Sequence, residues 1–271
     1  MIAEIRLSNP VDLIQAFNSL PSNFIFRGQA NAEWKLESSL ERVVGTKWCA
    51  EEAKKYEELS LARFRSKFHL YDSANIEPDS MLAWLAVMQH YGVPTRLLDF
   101  TESPYVALYF ALETYRSAAK NDLAVFAVDY RAATSASVGY IRQNDSNFQF
   151  SDSEIYENQD TIFDQFVNPR AYDIAWITEP RKHNQRLDRQ GGCFLISGNR
   201  DKKIEEILDT PLYQDSRVIK YRIDSSLHES VFTLLRKMNL TGKVLYGDLH
   251  GLAIAIRMEM EAYSSPIVTV S

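Results

Sequence analysis

The stretch Gln89-His90-Tyr91-Gly92-Val93-Pro94-Thr95-Arg96-Leu97-Leu98-Asp99-Phe100-Thr101-Glu102-Ser103-Pro104 compresses a helix end, a strand and a helix start into sixteen residues. Gly92 suits a helix C-cap and Pro94 the stop behind it. Leu97-Leu98-Asp99-Phe100 reads as a strand. Ser103 followed by Pro104 is an N-cap with Pro at the first helical position. Upstream, Met81, Leu82, Trp84, Leu85, Val87 and Met88 follow Asp79-Ser80 and predict a buried central helix to about Tyr91. Downstream, an apolar helix is predicted from Pro104 through about Ala118, and residues 123–128 form a strongly apolar strand.

Further out the signals repeat. Asn9-Pro10 opens a helix with Val11, Ile14, Phe17 and Leu20 on one stripe, and Pro21 ends it. Phe24-Ile25-Phe26-Arg27 is a short strand ending at Gly28. Residues 48–71 form an amphipathic helix with Arg63, Arg65 and Lys67 on its solvent side. The Ser/Asn/Gln-rich residues 131–153 are weakly periodic and read as a long loop or insertion. Strands follow at 174–178, 193–197 and 218–223, and helices at 224–238 and about 248–260. Strands alternate irregularly with helices, and the helices gather in the first half. The expectation is α+β: a single domain over 1–271 with one mixed sheet flanked by helices.

Composition narrows the function classes. Hydrophobic residues make up 45% of the 271 and charged residues 24%, which excludes disorder as a whole-chain description. The 30 Lys+Arg against 36 Asp+Glu leave a net charge of −6, so bulk electrostatics do not favour nucleic acid. Cys49 and Cys193 form neither a disulfide framework nor a C-x-x-C pair, which fits a reducing, cytoplasmic compartment. The first residues lack the basic start and apolar stretch of a signal peptide. Apolar runs such as 106–112 fall far short of the roughly 18–20 residues needed to cross a bilayer, so no membrane partner is expected.

Four segments set polar residues densely among apolar ones: 26–29, 89–104, 184–194 and 246–253. On these the chain resembles the FRG-domain family, named for its Phe-Arg-Gly motif. The resemblance rests on Phe26-Arg27-Gly28-Gln29, then Trp34 and Ser39-Leu40-Glu41-Arg42. It continues through the His90–Ala111 segment, Gln190-Gly191 with Phe194, and the closing Asp248–Ala253. Phe100 stands where Trp is usual and His250 where Asp is common. The resemblance spans about residues 24–253 and implies one FRG domain. It carries no activity with it, so chemistry is read from the residues themselves.

Arg27, at the end of an apolar strand, is a candidate anion anchor, because a guanidinium offers a fixed fork of donors to phosphate or carboxylate. The alternative is a buried Arg27–Asp99 ion pair that fixes the strands. Gly28 lets either a ligand or a neighbouring backbone approach closely. Gln29 belongs to the same candidate binding set. His90 suits general acid–base work near neutral pH, or simply the dipole at a helix C-terminus. Ser103 caps a helix whose N-terminal N–H groups form a ready anion site. Arg96 adds a second cation or pairs with Asp99. Gln190, before Gly191-Gly192, could hold ribose hydroxyls through its amide, or merely open a turn.

A second resemblance is one of layout, to ADP-ribosyltransferases. In those enzymes an Arg or His on the first strand, a Ser/Thr on the second and an acid on a later strand surround the nicotinamide end of NAD. The corresponding positions are Arg27, Thr101 or Ser103, and Gln190, with a neutral amide in place of the acid. Glu102 or Asp99 would then supply the charge. No metal is expected: His69, His90, His183, His228 and His250 show no ligand spacing. The leading expectation is an NAD- or nucleotide-using enzyme performing ADP-ribosyl transfer or NAD cleavage, suited to a toxin or antiphage effector. Its partners would be a small nucleotide ligand and a protein or nucleic-acid acceptor. The alternative is a non-catalytic module that senses a nucleotide or phospholigand.

Overall fold

A computed structural model describes residues 2–71, 77–115, 120–181 and 185–264. Seven strands form one mixed sheet: β1 (Ala3–Leu7), β2 (Phe24–Gln29), β3 (Leu98–Thr101), β4 (Leu123–Asp129), β5 (Ala175–Thr178), β6 (Gly192–Ser197) and β7 (Val218–Ile223), in the order β1-β7-β4-β2-β3-β6-β5. The edge strand β1 runs parallel to β7, and the other pairings are antiparallel. The fold is α+β.

Central strands carry apolar residues on both faces. On β4, Leu123, Val125 and Ala127 join a core with Phe24 and Phe26 of β2, while Ala124, Phe126 and Val128 join a second core with Ile25. The two-residue period of the strand makes that division. β1 escapes the sequence reading because its Ala-Glu-Ile-Arg-Leu is exposed at four of five positions. Pairing with β7, not burial, holds it.

The helices are α1 (Pro10–Asn18), α2 (Ser39–Val44), α3 (Ala50–Tyr71), α4 (Met81–His90), α5 (Pro104–Glu113), α6 (Tyr130–Asn144) and α7 (Asp152–Glu157), then α8 (Gln159–Ile162), α9 (Gln185–Arg189), α10 (Ile204–Leu208), α11 (His228–Lys237), α12 (Gly242–Tyr246) and α13 (Leu249–Ser264). The expected caps form: Asn9 accepts from the Asp12 N–H, Ser80 from Ala83 and Ser103 from Val106. Gly92, at φ +81°, follows α4. Ala118, the expected end of α5, lies outside the described residues.

Two expectations need correction. Residues 131–153 are no long loop: Asp129 caps α6, whose buried Ala133, Ser137, Val138 and Ile141 face the core. Composition hid this helix because the buried Ser137 hydroxyl is satisfied by the carbonyls of Ala133 and Ala175 and by the Tyr213 hydroxyl. Nor do helices gather in the first half. They run through both halves, because short segments such as α9 and α12 are too brief to show a helical period.

Candidate functional site

A single register pair, Phe26 with Thr101, joins β2 to β3. Beyond it, Arg27, Gly28 and Gln29 pair with β4, while Leu98, Asp99 and Phe100 pair with β6. The sheet is therefore parted between β2 and β3, and a cleft of about 840 Å³ opens there. Its walls include Arg27, Gly28, Gln29, His90, Asp99, Thr101 and Gln190. Residues up to 168 positions apart in the chain, Phe26 and Phe194, thus share one cavity of a size that holds a small-molecule ligand.

Arg27 spans the parted strands. Its Nη1 donates to the Asp99 backbone carbonyl at 2.7 Å, while the Asp99 carboxylate stands 4.0 Å away. The Asp99 side chain is 59% exposed, against 17% for Arg27. Arg27 and Asp99 form a long, largely exposed ion pair and not the buried one expected: the close contact is to backbone, and the carboxylate faces solvent. Arg27 Nε is buried and, among the described residues, has no hydrogen-bond partner. Burial lowers the guanidinium's proton affinity, Asp99 opposes that, and Arg42 adds to it.

Gly28 answers to packing. A Cβ there would lie 1.8 Å from the Ala107 carbonyl oxygen, so β2 and α5 touch backbone to backbone. Gln29 donates to the Lys35 carbonyl at 3.0 Å, and its buried Oε1 has no partner among the described residues. His90, half-buried at the end of α4, is held below its ordinary value by burial and by Arg186, with Asp248 opposing.

Thr101 and Gln190 meet directly. The Thr101 hydroxyl donates to the Gln190 carbonyl at 2.6 Å and accepts from the Ser103 N–H at 3.2 Å. The Gln190 amide donates to the Leu245 carbonyl at 3.2 Å. Gly191, at φ +52°, returns its carbonyl to the Glu102 N–H. These contacts stitch the β3 exit to the β6 entry.

Three expected site residues stand elsewhere. Arg96 is buried in an ionic cluster: its Nε lies 2.5 Å from Glu57, and its Nη2 2.7 Å from Asn168. Arg200 reaches the same Glu57 at 3.1 Å. Ser103 is occupied as the α5 cap and lies off the cleft wall. Glu102 is exposed and also lies off it. In the 184–194 segment, Asn184 lies outside the described residues, as does His183. Asp248 and Gly251 are structural: Asp248 accepts from the Gly251 N–H, and a Cβ on Gly251 would meet the Gly242 carbonyl oxygen at 2.3 Å.

The cleft also holds residues the sequence reading missed. Gln89 donates to Asp99 at 2.8 Å and accepts from Thr95 at 2.7 Å, bracing the Asp99 carboxylate. Glu113 is buried at the end of α5, with the Tyr246 hydroxyl 2.9 Å from both carboxyl oxygens. Arg186 lies over the Tyr246 ring, 4.4 Å from its centroid. One signal was available for Glu113: it is the lone charge in the apolar run Pro-Tyr-Val-Ala-Leu-Tyr-Phe-Ala-Leu-Glu. Among the described residues, no group of three or more His, Cys, Asp or Glu could hold a metal ion. Both cysteines are free, and burial pushes the Cys193 thiol up.

The family model that matches this chain is that of the FRG domain, over residues 22–120. This stretch is an FRG domain. Its match covers β2, the loop to α2, α4, β3 and α5, hence the parted strands and Arg27, His90, Asp99 and Glu113. Gln190 and Arg186 line the cleft from beyond the matched FRG residues, and Tyr246, also beyond them, contacts Glu113. No curated protein and no solved structure matches the chain. Among the described residues, no helix is long and apolar enough to cross a membrane.

Proposed function

We propose that the cleft binds a nucleotide and that NAD is its substrate, in ADP-ribosyl transfer or NAD cleavage. The observation that carries this reading is Arg27. One guanidinium nitrogen is pinned to the Asp99 carbonyl, while the buried Nε has no partner among the described residues. Arg27 lines the cleft, and a guanidinium suits a phosphate. Gln29 and Gln190 line the cleft with side-chain amides, a group that suits ribose hydroxyls. Arg27 on β2, Thr101 on β3 and Gln190 in the turn that leads into β6 follow the order of neighbouring strands, which supports the ADP-ribosyltransferase layout. An enzyme of this kind would act in the cytoplasm on a protein or nucleic-acid acceptor, as a toxin or antiphage effector does.

A second reading has its own support. Thr101 and Gln190 spend their hydrogen bonds on the scaffold, as expected of a module that senses a nucleotide without consuming it. Nicotinamide release from NAD by the purified protein, beside an Arg27→Met variant, separates the two. Release that the variant abolishes supports the enzyme. A rise in Tm with NAD but no release supports the sensor. The absence of both release and a Tm shift refutes the NAD assignment.

A further inference from the structure

Four carboxylates line the cleft, and three of them have cations. Glu33 meets Arg222 at 2.7 Å, Glu37 meets Lys203 at 2.5 Å, and Asp99 stands 4.0 Å from Arg27. Glu113 differs. It is only 7% exposed, it forms no salt bridge among the described residues, and its carboxyl oxygens both face the Tyr246 hydroxyl. Tyr246 is itself held from two sides, by Arg186 over its ring and by Phe110 edge-on, with centroids 6.4 Å apart. Arg257 donates to the backbone carbonyl of Glu113 at 3.0 Å, which fixes the end of α5 without neutralising the carboxyl.

We propose that Glu113 is the proton-carrying carboxyl of the cleft and that Tyr246 is its positioning residue. The substrate in this proposal rests on the NAD reading; the carboxyl's titration does not. In the step assigned to it, the bond between ribose C1′ and the nicotinamide nitrogen breaks, and its electron pair leaves with neutral nicotinamide. A water or acceptor hydroxyl forms the new C–O bond, and its proton passes to the Glu113 carboxylate and then to solvent. Such a base works best when its affinity for the proton lies near the working pH. Burial pushes Glu113 up in that direction, while Tyr246, Arg186, Arg257 and His250 restrain it. Those groups come from α12, α9 and α13, and Tyr109 faces it from its own helix.

The test has two parts. Carbon-13 NMR of glutamate-labelled protein, assigned with Glu113→Gln, follows the carboxyl from pH 4 to 9. Glu113 should titrate above the ordinary glutamate range, and higher still in Tyr246→Phe, which removes one restraining hydrogen bond. Nicotinamide release is then measured against pH. Glu113→Gln keeps an acceptor for Tyr246, so it should fold yet lose about a hundred- to ten-thousand-fold in kcat. Tyr246→Phe should move the acid limb of the profile upward, which a merely structural role would not do. A Glu113 that titrates at the ordinary value, or a Glu113→Gln variant that releases nicotinamide at the wild-type rate, overturns the assignment. A high-titrating Glu113 in a wild-type protein that releases none refutes the NAD reading alone.

Discussion

Arg27 and Arg96 separate a cleft residue from a scaffold residue, and stability measures the difference. In Arg96→Met the buried Glu57 loses its 2.5 Å partner, where both side chains are 4% exposed. Breaking a buried pair from one side costs about 3–5 kcal/mol. Arg200, still 3.1 Å from Glu57, keeps the loss at the lower end. At roughly 2–4 °C per kcal/mol, Tm should fall by roughly 6–12 °C. Arg27→Met removes a charged hydrogen bond to the Asp99 carbonyl, worth about 1.5–3 kcal/mol. It also removes a buried unpartnered Nε, whose desolvation costs about 1–3 kcal/mol. The 4.0 Å pair with the exposed Asp99 carboxylate adds about 0–1 kcal/mol. These contributions nearly cancel, and the Met stem keeps much of the packing. Thermal and urea unfolding of the two variants provide the assay. An Arg27→Met protein destabilised as much as Arg96→Met would refute the placement of Arg27 as a ligand group on a scaffold that does not need it.

Gly28→Ala should fold poorly, losing about 3 kcal/mol or more in urea, because the new Cβ meets the Ala107 carbonyl oxygen at 1.8 Å and backbone cannot yield. Gly191→Ala should lose only roughly 1–2 kcal/mol, since its nearest neighbours stand 3.9 Å off and the penalty is that of φ +52° alone. Burial raises the Glu57 carboxyl, but Arg96 and Arg200 prevail and hold it below the ordinary value. Its contribution is therefore present above the unfolded value of about 4.3 and lost as pH falls through the lower folded value. Glu57→Gln should lose the part of the acid limb that lies below pH ~4.3 in a Tm-against-pH series. Glu113 has the opposite sign. Its folded value is raised, so stability falls as pH rises from about 4.3 through that value. Glu113→Gln should therefore match or exceed wild-type Tm at pH 8, and a clear drop there would contradict the raised value.

Local chemistry was legible in the chain. Asn9-Pro10 and Ser103-Pro104 start helices because a short polar side chain and a fixed φ act within one turn. Apolar β4 and β6 announced themselves because strands buried on both faces need no polar alternation. β1 and α6 did not, since an exposed edge strand and a Ser/Ala-rich helix draw their stability from partners far away in the chain.

The residues of the cleft were partly legible too: Arg27, His90, Asp99 and Gln190 stood out as polar groups in apolar surroundings, and all four line it. Which side chains carry charge and donors, and where helices and core strands begin, follow from the order of residues along the chain. Which of those charges meet depends on the packed fold. Arg96 and Arg27 look equally available along the chain, yet one is taken up by Glu57 on a helix 39 positions away and the other faces a cleft. Glu113 reads as the end of an apolar helix until Tyr246, 133 positions later, closes on it. The physical reason is that desolvation and pairing depend on distances in space, which local propensities do not encode.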